Sequence, residues 1–286
     1  MSNQAVSLTQ SDVVRVRQIG PGAFAVTIDN PPFNVITPKV LAGLKAARRF
    51  AEDPANDVRV FVFESANPEF FGAHVDLVVA DDLDADGAVS ESADFGQWPE
   101  LAGWLSTGPV VTMAILRGRT RGFGCEFAST LDMRFASKEN LKLCLLEVGF
   151  GAYPGGGGIE WAQVNAGRAR AMEFVLSADD YDGETAELYG LVNRALPDAE
   201  LDAYVYKLAR RIGSFNPASI LAVKASLTKQ QPVPTAETLA VTFGEAMQLQ
   251  GDESCQEIAT RLITKAGGFP FSYEVELDLP KLYAVD

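Results

Sequence analysis

The feature that most constrains this chain is a repeated order of short apolar strand, glycine-containing turn and helix-like stretch. Apolar runs at 58–63 and 109–116 are typical of buried strands, and each leads to a turn that contains glycine. Ahead of them, the runs at 13–17 and 23–28 flank Gly-Pro-Gly at 20–22, which predicts a hairpin. Strands that alternate with helices predict an α/β fold. Periodicity alone leaves open whether the sheet is doubly wound or has another α/β layout.

Two other parts of the chain have helical spacing. Apolar residues from Val40 to Phe50 recur with a helical period, and Thr37 stands where a helix N-cap is expected. Past residue 200 the pattern is helical throughout, with apolar faces in the segments 201–212, 217–227 and 235–249. We therefore expect a C-terminal region made of helices.

The composition excludes several classes of partner. With 286 residues, 47% of them hydrophobic, the chain can bury a large core. Its formal net charge of −14 argues against nucleic acid and anionic membranes, because both are bound through Lys and Arg. No apolar run is long enough for a membrane span, the first residues lack a signal-peptide pattern, and the three cysteines are widely spaced. We expect a cytoplasmic protein.

Two glutamates in glycine-rich turns are the candidate catalytic residues. Glu126 ends the run Gly-Arg-Thr-Arg-Gly-Phe-Gly-Cys-Glu at 118–126, and Glu147 precedes a turn that contains four consecutive glycines. Both carboxylates have apolar neighbours in the chain, and burial raises the pKa of a carboxyl group. A raised pKa keeps a proton available near neutral pH, which general acid–base catalysis requires. A single such glutamate would be an ordinary helix-start or strand-end acid, whereas two in matching settings favour a site.

The residues that other kinds of catalytic or cofactor-binding site require are missing from the sequence. His74 is the only histidine, so a multi-histidine metal site is excluded and no metal is expected. No Gly-x-Ser-x-Gly turn accompanies it for a Ser-His-Asp triad. The glycine spacings complete neither a dinucleotide fingerprint nor a Walker-type phosphate loop. Acid–base chemistry by carboxylates is what remains.

Glycine- and proline-containing segments also occur in a characteristic order between residues 30 and 193. They include Asn-Pro-Pro-Phe-Asn-Val at 30–35, Phe-Phe-Gly-Ala-His-Val at 70–75, the run at 118–126, Leu-Asp-Met-Arg-Phe-Ala at 131–136, and Glu-x3-Gly-x2-Pro-Gly-x-Gly-Gly at 147–158. In this order they resemble the enoyl-CoA hydratase/isomerase (crotonase) family. The resemblance implies a spiral of repeated ββα units over residues 1–200. It also implies a C-terminal helical region, 201–286, that forms trimers and covers the pocket.

The resemblance further implies a reaction and its residues. The enzyme would be a hydro-lyase that adds water across the double bond of a 2-enoyl-CoA, with a place in fatty acid metabolism. Glu126 would orient and activate the water, and Glu147 would exchange the proton on the α-carbon. The backbone N–H groups of Ala73 and Phe123 would form the oxyanion hole. Coenzyme A would enter as part of the substrate with no permanently bound cofactor, and the protein would be a homotrimer or hexamer.

Some residues depart from the family pattern. Phe123 stands where glycine is usual, so we expect its ring to narrow the pocket, and His74 replaces the usual aspartate. Arg121 and Trp161 are also departures, and together with His74 and Tyr153 they are candidates for the pocket lining. The acidic charge balance is unfavourable for binding the phosphates of coenzyme A.

Two alternatives remain open at this stage. The first is another activity of the family, such as enoyl-CoA isomerisation or hydrolysis of an acyl-CoA or a C–C bond, since one scaffold supports many reactions. The second is a non-catalytic oligomer that binds acyl groups. Two carboxylates in one site favour hydration over both.

Overall fold

The computed structural model describes residues 11–75 and 95–265. The last part of the region 201–286, which was predicted to cover the pocket, lies past residue 265 and outside the described residues. No helix in the described ranges is long and apolar enough to span a membrane.

The described strands form two sheets. Their bounds are β1 (Val14–Gly20), β2 (Ala23–Ile28), β3 (Val60–Ser65), β4 (Phe70–Gly72), β5 (Val111–Leu116), β6 (Arg119–Arg121), β7 (Met133–Ser137), β8 (Lys142–Cys144) and β9 (Arg194–Leu196). The larger sheet has the order β1-β2-β3-β5-β7-β9, and the smaller has the order β4-β6-β8. The β1–β2 pair is antiparallel, as the predicted hairpin requires, and the other pairs are parallel.

Ten α-helices lie in the described ranges, and the first four each follow a pair of strands. Their bounds are α1 (Pro38–Glu52), α2 (Trp98–Thr107), α3 (Phe123–Ser129), α4 (Gly158–Ala166), α5 (Arg168–Ser177), α6 (Gly183–Tyr189), α7 (Asp198–Gly213), α8 (Pro217–Gln230), α9 (Ala236–Gln250) and α10 (Glu253–Lys265). The predicted Thr37 cap is confirmed, because its side chain accepts a hydrogen bond from the Val40 N–H.

The strand order confirms the predicted spiral of ββα units. In each turn one strand joins the larger sheet, the next joins the smaller sheet, and a helix follows. The three turns are β3-β4-α2, β5-β6-α3 and β7-β8-α4. Because the three short strands of the smaller sheet lie side by side, the turns that leave them meet at one edge. Those turns carry the segments around Ala73, Gly122 and Glu147.

One side of the larger sheet is covered by α7. Leu201, Val205 and Ala209 form one apolar stripe on this helix and pack on side chains of β2, β3 and β5. The predicted division of the chain at residue 200 therefore separates α7 from the sheet that it covers. A separate C-terminal unit stays a prediction.

Helix α3 is held in the core by aromatic packing on its inner side. The Phe127 ring is stacked on Phe71 at a centroid distance of 5.9 Å and meets Phe63 edge-on at 5.3 Å. Trp98, at the start of α2, closes the cluster at 6.1 Å from Phe127. This cluster links both sheets to the helix that carries Glu126.

We expect Phe127→Ala to lower the free energy of unfolding by about 3–5 kcal/mol, because it removes a buried ring and leaves a cavity. The matched control is Phe215→Ala, since the Phe215 side chain is 46% exposed and should lose less than about 1 kcal/mol. Chemical denaturation at one fixed protein concentration measures both. Equal losses in the two variants would contradict the packing described for α3.

Candidate active site

Glu126 is placed by the turn that begins α3. Gly122 caps the helix with φ of 50°, and the Glu126 N–H donates to the Gly122 carbonyl at 3.0 Å. The side chain points inward and is only 2% exposed. Its Oε1 accepts hydrogen bonds from the Gly156 N–H at 2.7 Å and the Gly158 N–H at 3.0 Å. These two bonds orient the Glu126 carboxyl within a buried site.

The surroundings of Glu126 raise its pKa to about 7. Burial is the largest cause, because it disfavours the charged form. The backbone bonds from Gly158 and Gly156 act in the opposite direction, and the negative charge of Glu160 raises the pKa again. A carboxyl with this pKa can both accept and release a proton near neutral pH.

Glu147 interacts with Glu126, and its pKa is also raised. It begins a single 3₁₀ turn over Glu147–Phe150, directly after β8. The residue as a whole keeps some exposure, but its Oε2 is inaccessible and has no hydrogen-bond partner among the described residues. Burial, and then the charge of Glu126, hold the pKa of Glu147 well above its ordinary value. Two carboxyl groups that interact in this way resist being ionised together.

Gly122 is the point at which the site comes together. A Cβ at this position would lie 2.9 Å from Glu147 Oε1 and 3.5 Å from the Cα and Cβ of His74. A side chain at residue 122 would therefore displace the carboxylate, and the positive φ also disfavours one. The glycine brings the start of α3, Glu147 and His74 into one place.

The two proposed oxyanion-hole residues are neighbours in space. A Cβ at Gly124 would lie 2.2 Å from the Gly72 carbonyl oxygen, so the end of β4 and the start of α3 are in close contact. The Ala73 N–H, however, already donates to the Asn34 carbonyl at 3.1 Å. To serve an oxyanion, this N–H must share that bond or release it when an acyl group binds.

The Phe123 ring is packed inside rather than spread across an open pocket. Its centroid is 4.7 Å from that of Trp98, and the residue is buried. A Cβ at Gly156 would lie 2.9 Å from the Phe123 ring edge and 2.8 Å from Glu126 Oε2. Ring and carboxylate therefore border the same backbone position, and the ring helps to exclude water from Glu126.

The four residues predicted to line the pocket do not all lie together at the site. Of these, His74 lies at the site, and its Nδ1 contacts the Val75 carbonyl at 2.6 Å. Arg121 is buried and forms two hydrogen bonds with Asp180, at 2.8 Å and 2.5 Å. This ion pair commits the guanidinium to a partner within the fold.

Of the other two lining candidates, Tyr153 contacts a C-terminal helix. The Tyr153 hydroxyl donates to the Thr242 carbonyl and to Glu245 on α9. Trp161 is buried on α4, and its Nε1 has no hydrogen-bond partner in the described ranges. A Cβ at Gly157 would lie 3.2 Å from the Trp161 ring, so Trp161 borders the glycine turn that binds Glu126.

Two residues at the site were missed by sequence reasoning. Trp98 donates from Nε1 to the Gly156 carbonyl at 2.7 Å and so fixes the turn that binds Glu126. Glu160 places a third carboxylate within electrostatic range of Glu126. Trp98 stands outside every motif, but an acidic residue two positions after four consecutive glycines was a signal that could have been followed. Among the described residues no group of three potential ligands could hold a metal ion.

Comparisons with known proteins agree with this geometry. The family model described as enoyl-CoA hydratase/isomerase matches residues 18–261. The chain is 28% identical to the 2,3-dehydroadipyl-CoA hydratase of Escherichia coli (strain K12), over 62% of this chain and 67% of that protein. It is also 28% identical to a probable enoyl-CoA hydratase of Bacillus subtilis (strain 168), over 78% of this chain and 86% of that protein.

A solved structure is similar over almost the whole chain. It is the crystal structure of a protein from Streptomyces avermitilis described as a "putative enoyl-CoA hydratase". It is 35% identical, with a TM-score of 0.83, and the match covers 98% of this chain and 100% of that one.

The raised pKa of Glu126 predicts a stability that falls as the pH rises. The folded protein holds this proton more tightly than the unfolded chain, for which the ordinary pKa is 4.5. The stability contributed is therefore full below about pH 4.5 and is lost as the pH rises through about 7. Relative to Glu126→Gln, the wild-type free energy of unfolding should fall by about 1–3 kcal/mol across this window. Glu253→Gln, at an exposed site on α10, is the control, and parallel curves for wild type and Glu126→Gln would refute the shift.

Proposed function

The chain belongs to the enoyl-CoA hydratase/isomerase family, and on that basis we propose that it adds water across the double bond of a 2-enoyl-CoA thioester. The observation that carries the proposal is the pair Glu126 and Glu147, whose buried carboxyl groups interact electrostatically and which both contact Gly122. Hydration needs one group to accept a proton and another to donate one within the same site. A pair of interacting carboxyl groups whose pKa values are both raised meets this need.

The proposed reaction proceeds in two proton transfers. Ionised Glu126 accepts a proton from water as the water oxygen bonds to the β-carbon, and the electron pair of the double bond moves toward the thioester oxygen. Neutral Glu147 then donates its proton to the α-carbon, and the thioester carbonyl is restored. The pKa of about 7 for Glu126, and the pKa of Glu147 held well above its ordinary value, support this division of roles.

The negative charge that develops on the thioester oxygen needs fixed donors. We assign these to the backbone N–H groups of Ala73 and Phe123, which the contact between Gly72 and Gly124 brings close together. Because the Ala73 N–H donates to the Asn34 carbonyl, substrate binding has to compete with that bond.

Coenzyme A is proposed as part of the substrate, with no permanently bound cofactor. A cytoplasmic location and a place in fatty acid metabolism remain part of the proposal.

Isomerisation of an enoyl-CoA double bond is the second candidate. It requires removal of one proton and delivery of another, and Glu147 with its raised pKa could perform both. Hydration is preferred because Glu126 is also oriented, by two backbone donors, beside the same position.

We expect Glu126→Gln and Glu147→Gln each to lower kcat for enoyl-CoA hydration by about 10²- to 10⁴-fold, since each removes a proton-transfer group but keeps the side-chain shape. The assay follows loss of enoyl absorbance over a panel of acyl chain lengths. Glu253→Gln is the matched control and should retain wild-type activity. Full activity in either active-site variant would contradict the assigned roles. A wild-type protein that shifts double bonds without adding water would identify an isomerase instead.

A homotrimer or hexamer is part of the same proposal. Helix α8 has no buried residue, although it carries Leu221, Val223 and Leu227. On the neighbouring α9, Val241 and Met247 are also exposed. A single chain that leaves so many apolar side chains in water gains stability by covering them in an assembly.

We expect light scattering at micromolar concentration to give the mass of three or six chains for the wild-type protein. Leu227→Glu places a charge on the exposed face of α8 and should shift the protein toward monomer. Lys229→Glu, on the same helix, changes charge without touching this apolar face and should leave the mass unchanged. A wild-type monomer would overturn the proposed assembly.

A further inference from the structure

Helix α9 is packed directly on the turn that orients Glu126. A Cβ at Gly155 would lie 2.4 Å from the Ala246 Cβ, and a Cβ at Gly157 would lie 2.9 Å from Leu239 Cδ2. The glycines therefore allow the helix to approach with no side chain in between. The residues of α9 that make these contacts are spaced by seven, so they lie on one face of the helix.

Glu160 lies between this helix face and the active site. It belongs to the first turn of α4, two residues after Gly158, whose N–H binds Glu126. Its Oε1 accepts a hydrogen bond from the Thr242 hydroxyl on α9. Its Oε2 is inaccessible to solvent and has no hydrogen-bond partner among the described residues. A buried carboxylate oxygen left without a donor is costly, so its retention calls for an explanation.

The neighbouring charges indicate what Glu160 does. After burial, its negative charge is the influence that raises the pKa of Glu126. Glu147 and Cys125 are further titratable groups that interact with Glu126, and both side chains are buried. On its outer side, Glu160 borders a cavity of about 1020 Å³ that Tyr153 and Glu245 also line.

We propose that Glu160 is a positioning residue for the reaction: held by Thr242, its carboxylate sets the protonation of Glu126. Its charge disfavours ionised Glu126 and thereby makes that group a stronger base toward water. A base is most effective when its pKa lies near the working pH, and removing this neighbour would lower the pKa of Glu126. The inference rests on the proposed function for its catalytic consequence, but the interaction between the two carboxylates does not depend on it.

Glu160→Gln tests the interaction directly, because it removes the charge and keeps an oxygen for Thr242 to bind. Carbon-detected NMR on the full-length, substrate-free protein follows the titration of Glu126. The midpoint should fall by about half a pH unit or more in this variant. Glu245→Gln is the matched control, since it removes a carboxylate from the same cavity that does not act on Glu126, and its midpoint should equal that of wild type.

A second variant separates charge from packing. Thr242→Val removes the hydroxyl donor and keeps the Glu160 charge, so the Glu126 midpoint should remain at or above the wild-type value. If the substitutions only loosened α9, the Glu126 midpoint would move in the same direction in Glu160→Gln and in Thr242→Val. The pH profile of kcat/KM for hydration should show the same displacement of its acidic limb in Glu160→Gln.

The outcomes of these measurements distinguish failure of the positioning role from failure of the proposed function. An unchanged Glu126 midpoint in Glu160→Gln, or an equal change in Glu245→Gln, overturns the positioning role even if hydration is observed. A shifted midpoint in a protein that hydrates no enoyl-CoA supports the interaction and rejects the proposed function instead.

Discussion

The site depends on the burial of two carboxyl groups against one another. Glu126 has both a pKa near neutrality and a fixed orientation, because burial disfavours its charge while the N–H groups of Gly156 and Gly158 hold its Oε1. Glu147 has no comparable donor on Oε2, and burial and the neighbouring charge hold its pKa well above the ordinary value. In the proposed reaction, this difference in hydrogen bonding is the reason to assign the base to Glu126 and the acid to Glu147.

The fold makes this burial possible by bringing three turns to one edge of the small sheet. Gly122 and Gly124 allow α3 to begin in contact with the end of β4 and with Glu147. Phe127 on the inner side of α3 fixes the helix between the two sheets. Trp98, on α2, donates a hydrogen bond to the Gly156 carbonyl. Elements that are far apart in the chain therefore each hold one part of the site in place. If Glu160 acts as proposed, α9 joins them and links the C-terminal helices to proton transfer.

Local patterns in the sequence predicted a large part of this arrangement. The hairpin, the Thr37 cap and the strand–turn–helix order depend on neighbouring residues, and the family resemblance supplied the ββα spiral that periodicity left open. Contacts between distant segments could not be predicted in this way. Arg121 pairs with Asp180, and the Ala73 N–H donates to Asn34, because the folded chain brings those partners together. The position of Glu160 after four glycines was a local signal, but its contact with Thr242 was not, since Thr242 lies on a helix whose docking the sequence does not encode locally.

The central claim is that Glu147 exchanges the α-proton and Glu126 acts on water, and isotope exchange tests this division most directly. A saturated acyl-CoA incubated with the protein in D₂O has an α-proton to exchange but no double bond to hydrate. Mass spectrometry should show deuterium entering the acyl group with the wild-type protein and with Glu126→Gln, and no such exchange with Glu147→Gln. Exchange at the wild-type rate in Glu147→Gln would contradict the account.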